Sequence, residues 1–113
     1  MEARNVVLFK LSTPLKQRHV QLMACQALQN YILTSHALLE MQRRSLTKAD
    51  VATVLEAPEQ SEEIRPGRCI YQSRLNFGDP SKIYLLRVFV DIDRDPPEVV
   101  TVYRTSKVQK YWR

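Results

Sequence analysis

The spacing of hydrophobic residues changes near the middle of the chain. Asn5 to Leu11 is a short apolar run that could be a strand or the start of a helix. From Pro14 to about residue 58, apart from a break at Tyr31-Ile-Leu, apolar residues recur at intervals typical of amphipathic helices, whereas from Arg65 onward they alternate with polar residues or form short runs between turns. Helical spacing predicts one buried stripe on each helix, and alternation predicts strands with one buried face. The pattern therefore predicts helices in the first half of the chain and a sheet in the second half.

Helices are expected at three places before Pro58. The first begins after a Ser-Thr pair, with proline at its first position, and runs from Pro14 to about Gln29. The second runs from His36 to about Arg44, and the hydroxyl of either Thr34 or Ser35 can cap it. The third begins at Thr47-Lys-Ala-Asp50, which resembles a capping box, and Pro58 ends it.

Strands are expected after a Pro-Gly turn signal. Cys69 to Leu75 alternates, and Lys82 to Ile92 is apolar on both faces apart from Arg87, which suits a central strand. A last strand is expected from Glu98 to about Arg104. We therefore predict an α+β domain, with N-terminal helices followed by an antiparallel β-meander of three to four strands.

The end of the chain joins a β-branched run to a basic, aromatic segment. Because side chains alternate along a strand, Val100 and Val102 are expected on one face, with Thr101 and Tyr103 on the other. No acidic residue follows, and basic residues here and in the second predicted helix are candidate nucleic-acid contacts. These are Arg43, Arg104, Lys107 and Lys110.

Composition narrows the classes of function. The chain has 113 residues and a net charge of +5, which indicates one domain and permits binding to nucleic acid or another anionic surface. Two glycines and two histidines argue against a phosphate-binding loop and a zinc site, so no cofactor is expected. Cys25 and Cys69 lack a C-x-x-C spacing, and we expect both to be small buried apolar residues.

Location is predicted from the same composition. No apolar segment is long enough to span a bilayer, and the N-terminus lacks a basic region followed by a long apolar core. We therefore expect a cytoplasmic protein that does not enter a membrane.

Two polar residues, His36 and Arg87, lie in apolar-rich segments and are candidates for a role in catalysis or anion binding. An imidazole such as that of His36 titrates near neutrality and can move a proton, although a packing role at the helix start is the simpler interpretation. Arg87 interrupts the predicted central strand, where burial without a partner is unfavourable. It is expected either to pair with an acid such as Glu40 or to bind an anion.

Several segments, in this order and spacing, resemble one family. They are Thr34 to Thr47, Asp50-Val51, Val54-Leu55, Pro58, Arg65 to Arg68 and Val99 to Tyr103. Together they resemble the family called domain of unknown function 4258, whose members open with a Ser/Thr-x-His-Ala helix and end with a Val-x-Thr-Val-Tyr strand. The resemblance covers about Ile32 to Trp112. It implies a single α+β domain over residues 31–113. Residues 1–30 lie outside the resemblance and are expected to form a helical N-terminal extension, with a dimer arm or an over-extended start as the alternatives.

The layout of that family is similar to the RelE and BrnT toxins and to the wider barnase-EndoU-colicin-RelE group of metal-independent ribonucleases. By this analogy, which extends only to the fold, His36 is expected to be the base or acid. Arg68 and Arg87 are expected to hold the phosphate, and Thr101 and Tyr103 to orient it. The partner of His36 in proton transfer is unassigned.

Two functions therefore compete at this point. The first is a RelE-like endoribonuclease that acts on RNA phosphodiesters and pairs with a cognate antitoxin. The second is a non-catalytic nucleic-acid-binding or protein-interaction module that uses its basic end, with Tyr111 and Trp112 available to stack on bases. Alternatively, Trp112 closes the core beneath the sheet, and the protein acts only through a partner.

Overall fold

The computed structural model describes residues 25–113. Its helices and strands follow one another in an order that begins with a very short strand and ends with a short helix. The elements are β1 (Ile32–Leu33), α1 (Ser35–Arg43), α2 (Lys48–Glu56), β2 (Gln60–Arg65), β3 (Arg68–Phe77), β4 (Lys82–Asp91), β5 (Glu98–Thr105) and α3 (Val108–Tyr111).

Across the part of the chain that the structure describes, the strands form one sheet in the order β1-β5-β4-β3-β2. Neighbouring strands are antiparallel except β1, which lies parallel to β5. The predicted α+β class and the central position of β4 are confirmed. The sheet is mixed rather than purely antiparallel, however, because β1 is parallel to β5. The sequence did not predict β1, since two residues are too few to show an alternating pattern. The helix α3, which follows the strands, was not predicted either.

Side-chain caps begin both longer helices. The Thr34 hydroxyl accepts a hydrogen bond from the Ala37 amide at 3.1 Å, and Thr47 and Asp50 form a reciprocal capping box. The starts predicted for these helices are confirmed. Within residues 25–113, no helix is long and apolar enough to cross a membrane.

The predicted N-terminal helix lies mainly outside the described residues. Only its last positions, residues 25–29, are described, and they form neither helix nor strand. This segment is attached to the rest of the domain by hydrogen bonds: the Leu28 amide donates to the Leu55 carbonyl at 2.8 Å, and Tyr71 Oη donates to the Gln26 carbonyl at 2.7 Å.

One face of the sheet packs against α1 and α2. Val88 and Val90 of β4 are fully buried there, beneath Ala37 of α1 and Val54 of α2. We call this the helix face. Burying such branched side chains stabilises the fold by roughly 1.5–3 kcal/mol each, so this face supplies the main hydrophobic core.

The pattern predicted for β5 is wrong at one residue. The pairing of β4 with β5 shifts between Phe89 and Val90, which leaves Val100 as an extra residue in a β-bulge. Consequently Val99 and Val102 are the buried pair, at 0% and 1% exposure, and Val100 is only half-buried. Alternation alone does not reveal a bulge.

The two cysteines are buried, as expected, but they are not free thiols. Cys25 and Cys69 form a disulfide that joins the segment before β1 to β3, across 44 positions of sequence. The expectation of two separate apolar residues was therefore wrong. The spacing of the two cysteines in the sequence did not indicate this bond, because they come together only when β3 packs beside the segment that precedes β1.

Candidate functional site

The sheet face turned away from α1 and α2 carries a row of polar side chains. Arg87 at the centre of β4 lies opposite Gln72 of β3 and opposite Tyr103 of β5. Gln72 in turn lies opposite Gln60 of β2. Because residues directly opposite one another point to the same side of a sheet, these four side chains cross all the longer strands. We call this surface the second face.

Arg87 is buried in the middle of the second face, with 9% of its surface exposed. Its Nε donates to Gln72 Oε1 at 3.0 Å, and its Cζ lies 4.2 Å from the centroid of the Tyr111 ring. Among residues 25–113, no carboxylate lies within ion-pair distance of it. Burial lowers the pKa of Arg87, yet a guanidinium keeps its charge in proteins. The site thus holds a cation that has no ion-pair partner among those residues, although the Glu62 carboxylate favours its charged form from a greater distance.

The alternative in which Arg87 pairs with Glu40 is wrong. Glu40 lies on α1, on the opposite side of the sheet, and its carboxylate binds Arg43 at 3.2 Å and Arg44 at 3.3 Å. Glu62, which lies two residues from Gln60 on β2, pairs with Arg113 at 2.6 Å. Among the described residues, these acids are bound elsewhere, which favours the interpretation that Arg87 binds an anion.

Tyr103 stands directly beside Arg87. A hydrogen bond from the Tyr111 hydroxyl, then one from Thr105, lowers the pKa of Tyr103, and the charges of Lys110 and Arg44 act in the same direction. Arg44 reaches from the end of α1 to place its Cζ 5.1 Å from the Tyr103 ring centroid. A phenol in these surroundings gives up its proton more readily than an isolated tyrosine.

The last eight residues, 106–113, which we call the tail, cover part of the second face. The Gln72 amide donates to the Tyr111 carbonyl at 3.2 Å. The Gln60 amide donates to the Arg113 carbonyl at 3.0 Å and accepts from the Arg113 amide at 3.2 Å. Two glutamines of the sheet therefore hold the main chain of the tail in place.

The residues predicted as catalytic fall into two groups. Arg87, Thr101 and Tyr103 share the second face, where Thr101 lies opposite Phe89 on β4. Arg68 shares that face but opposes Asp91, about 13 Å along β4 from Arg87 at the usual rise per residue. His36 is exposed in the first turn of α1, on the opposite side of the sheet. The structure thus brings together three of the five.

Arg68 has a structural partner that explains it. Its Nε donates to Asp91 Oδ1 at 2.7 Å, and this bond lowers the pKa of Asp91. The same contact raises the pKa of Arg68. A half-buried guanidinium that is already paired is a weaker candidate for phosphate binding than Arg87.

The residues predicted as nucleic-acid contacts are spread over both sides of the sheet. Arg43 is bound to Glu40, and Lys107 and Lys110 are exposed in the tail. Arg104 lies opposite Leu86 and therefore points to the helix face. Its Cζ lies 4.9 Å from the centroid of the Phe77 ring and 5.1 Å from that of the Tyr84 ring. They form no single surface.

Sequence reasoning missed Gln60, Gln72 and Arg44. Alternation in β3 and β4 was a usable signal for Gln72, because pairing the two predicted strands places it beside Arg87. Gln60 and Arg44 gave no such signal. Gln60 lies on a strand whose polar sequence does not alternate clearly, and Arg44 reaches Tyr103 only through the packing of α1 against β5.

The arrangement is suited to anions rather than to metal ions. A guanidinium carries five N–H donors, of which Arg87 gives the one on Nε to Gln72, and the neutral amides of Gln60 and Gln72 lie nearby. No group of three or more metal-ligating side chains occurs within the described residues. A phosphate oxygen is the kind of ligand that a guanidinium and amides recognise together.

Fold and site together define a class: a small α+β domain whose mixed sheet carries helices on one face and an arginine-centred polar row on the other. Residues 33–104 match the family described as a domain of unknown function, DUF4258. The chain belongs to this family, as its motifs predicted. No curated protein and no solved structure was found to match the chain.

Proposed function

We propose that this protein is a metal-independent endoribonuclease of the RelE and BrnT type, acting on RNA phosphodiesters at the second face. The observation that carries this proposal is Arg87, a buried guanidinium that no carboxylate in residues 25–113 neutralises. Burying an unpaired charge is unfavourable, so its retention at the centre of a polar row indicates an anionic ligand.

The reaction proposed is attack of the RNA 2′-hydroxyl on the adjacent phosphorus. Tyr103 acts as the phenolate, its own proton having passed to water, and Thr105 and Arg44 favour that form. The proton of the 2′-hydroxyl passes to the phenolate oxygen, and the bond from phosphorus to the 5′-oxygen breaks. The 5′-oxygen takes a proton from water, which gives a 2′,3′-cyclic phosphate and a 5′-hydroxyl end. Arg87 stabilises the negative charge that develops on the phosphate oxygens, and Thr101 helps to orient the substrate.

This assignment moves the proton-transfer role away from His36. Tyr103 lies directly opposite Arg87, whereas α1 carries His36 on the other side of the sheet. A general base has to lie within hydrogen-bond reach of the proton that it removes. Tyr103 is the better candidate for a phosphate bound at Arg87, because the two residues lie directly opposite each other on neighbouring strands.

The test is cleavage of single-stranded RNA in the presence of a chelator. The variants Arg87→Lys and Tyr103→Phe are expected to lose at least about a hundredfold in rate, because each removes a group that acts on the transition state. His36→Ala is expected to keep most of the activity. Arg94→Lys is the matched control for Arg87→Lys, since it makes the same substitution in an exposed turn.

Wild-type protein that leaves every RNA intact would refute the enzyme proposal. A loss of cleavage in His36→Ala equal to that in Tyr103→Phe would return the proton-transfer role to His36. Circular dichroism spectra and melting temperatures of all variants establish that any loss reflects the site rather than the fold.

A cognate antitoxin and a cytoplasmic location are part of the same proposal. The disulfide provides the test of location, because disulfides persist in oxidising compartments and are rare in the cytosol. Alkylation of free thiols at the moment of cell lysis, followed by a mass-shift gel, measures the fraction of oxidised protein. Fully oxidised protein would contradict the cytoplasmic location.

A second candidate function is a non-catalytic nucleic-acid-binding module. It is favoured by the cluster at the end of the β3–β4 hairpin, where Phe77 and Tyr84 pack edge to face at 5.8 Å beneath Arg104. Cations interleaved with aromatic rings bind single strands with strong salt dependence. Binding that weakens steeply with salt, is lost in Arg104→Gln and leaves RNA intact would support this candidate against the enzyme.

A further inference from the structure

We propose that the tail occupies the place of two successive nucleotides of single-stranded RNA, and that RNA binds the second face by displacing it. This inference rests on the proposed function, because it concerns access to the same site. It also identifies the substrate as single-stranded and its binding as regulated by the chain's own tail.

Two successive rings of the tail stack on two arginines of neighbouring strands. The Tyr111 ring lies 4.2 Å from Arg87 Cζ on β4, and the Trp112 ring lies 4.0 Å from Arg74 Cζ on β3. Arg74 is held by Glu59, with Nε and Nη2 each 3.1 Å from a carboxylate oxygen. A fixed guanidinium plane stacks on a nucleobase much as it stacks on an aromatic side chain.

The contacts to the main chain of the tail are also of a kind that a nucleic-acid backbone could make. Gln60 and Gln72 bind it through neutral amides, which donate to a carbonyl and accept from an amide N–H. Both glutamines are buried, and they are linked by a hydrogen bond of 2.7 Å. The same amide groups can bind the phosphate oxygens and ribose hydroxyls that connect two bases. The second face therefore offers a site for an extended polymer with planar groups.

The tail is attached in a way that permits its release. The four residues of α3 include none that is buried, and Tyr111 and Trp112 are half-buried. The ion pair that ends the tail, between Arg113 and Glu62, has both side chains about half exposed, at 51% and 46%. Exposed ion pairs of this kind stabilise weakly and are screened by salt.

Removal of the tail separates this proposal from simple charge attraction. The tail contains Lys107, Lys110 and Arg113 and no acidic residue, so deleting it lowers the net charge by three. If the tail were an RNA contact, its deletion would weaken binding. If it competes with RNA, its deletion raises the affinity, because the binding-competent state is no longer only a fraction of the population.

The experiment measures binding of a fluorescently labelled short oligouridylate by anisotropy. We expect the chain lacking the tail, residues 106–113, to bind at least about fivefold more tightly than the full chain. The double variant Tyr111→Ala, Trp112→Ala keeps the charges of the tail and is expected to show a similar gain in affinity. It replaces the shortened chain in the test if that chain fails to fold. Lys107→Gln is the matched control for charge, with no gain expected.

Trp112 reports displacement directly, since it is the only tryptophan of the chain. In the full chain, addition of oligouridylate is expected to shift its fluorescence to longer wavelength as the ring leaves Arg74. Duplex RNA is the comparison probe, and it is expected to cause a much smaller shift because its bases are paired and stacked.

The outcomes distinguish the two proposals. RNA binding by neither chain would refute the proposed function and this inference together. RNA binding that is weakened or unchanged by loss of the tail, or that leaves Trp112 fluorescence unaltered, would overturn the inference alone. Tighter binding by the shortened chain without cleavage would support the inference and leave only the catalytic step refuted.

Discussion

The helix face and the second face are two sides of the same strands, yet they are covered by very different material. On the helix face, α1 and α2 bury aliphatic side chains, and the Cys25–Cys69 disulfide lies within the same cluster. On the second face, a short tail lies over arginine, glutamine and tyrosine side chains.

Adjacent residues of β4 show what the difference means. Leu86 points to the helix face and is fully buried among apolar groups, whereas Arg87 points to the second face and is buried as a cation. The same strand thus contributes to the hydrophobic core on one side and, on the other, carries a charge that forms no ion pair with a carboxylate of residues 25–113. Folds commonly hold unfavourable groups at functional sites and offset them elsewhere.

The largest expected effect comes from the disulfide on the helix face. Its loop of 44 residues predicts a loss of about 4 kcal/mol of unfolding free energy on reduction in the chain-entropy treatment. Urea unfolding with and without reductant measures this loss. The double variant Cys25→Ala, Cys69→Ala is the control and is expected to be insensitive to reductant. A loss below about 1 kcal/mol would show that the helices hold this face without the disulfide.

A second prediction compares neighbouring leucines that are equally buried on opposite faces. Leu86→Ala is expected to destabilise the protein by about 3 kcal/mol, because the surrounding helices cannot close the cavity. Leu85→Ala on the second face is expected to lower the stability by about 2 kcal/mol, since Leu85 lies outside the main hydrophobic cluster and opposite Arg74, whose side chain is partly exposed. Chemical denaturation measures both. Equal losses would mean that the two faces are equally rigid.

This contrast explains how much could be predicted from the sequence. Helix starts depend on residues three apart, so the caps at Thr34 and Thr47 were predictable. Membership of the family followed from local motifs such as the Val99 to Tyr103 strand. The central position of Arg87 followed from the apolar run around it.

The remaining features depend on contacts between distant residues. The Cys25–Cys69 disulfide, the bulge at Val100 and the cover of the tail over the second face all form between segments that local periodicity does not relate. His36 was predicted to share a site with Arg87 only from the resemblance to the family, and local periodicity does not show on which side of the sheet each residue lies. The topology of the sheet decides on which side each residue lies.

A third prediction concerns the buried charge itself. Arg87→Met is expected to raise the unfolding free energy by about 1 kcal/mol, because relief of an unpaired buried charge exceeds the loss of the hydrogen bond to Gln72. RNA binding should disappear in the same variant. Arg68→Met is the control, and it should destabilise the protein, since it leaves the carboxylate of Asp91 without its partner. A stability loss in Arg87→Met would identify Arg87 as a structural residue.

The smallest expected effect lies where the tail meets β3. Glu59→Gln breaks the exposed pair with Arg74, whose side chains are 39% and 47% exposed, so a loss of at most about 0.5 kcal/mol is expected. The hydrogen bond from Arg74 lowers the pKa of Glu59 below its ordinary value of 4.5. A lowered carboxyl pKa adds stability above the unfolded-state value, and that stability is lost as the pH falls through the folded-state value.

The wild type should therefore lose this increment as the pH falls below about 4.5, and Glu59→Gln should lack that part of the pH dependence. Trp112 fluorescence should also change in the variant, because Arg74 is no longer held beneath the ring. An unchanged spectrum together with an unchanged acid profile would show that the tail keeps its place without Arg74. The second face would then be closed by Gln60 and Gln72, whose buried amides do not titrate.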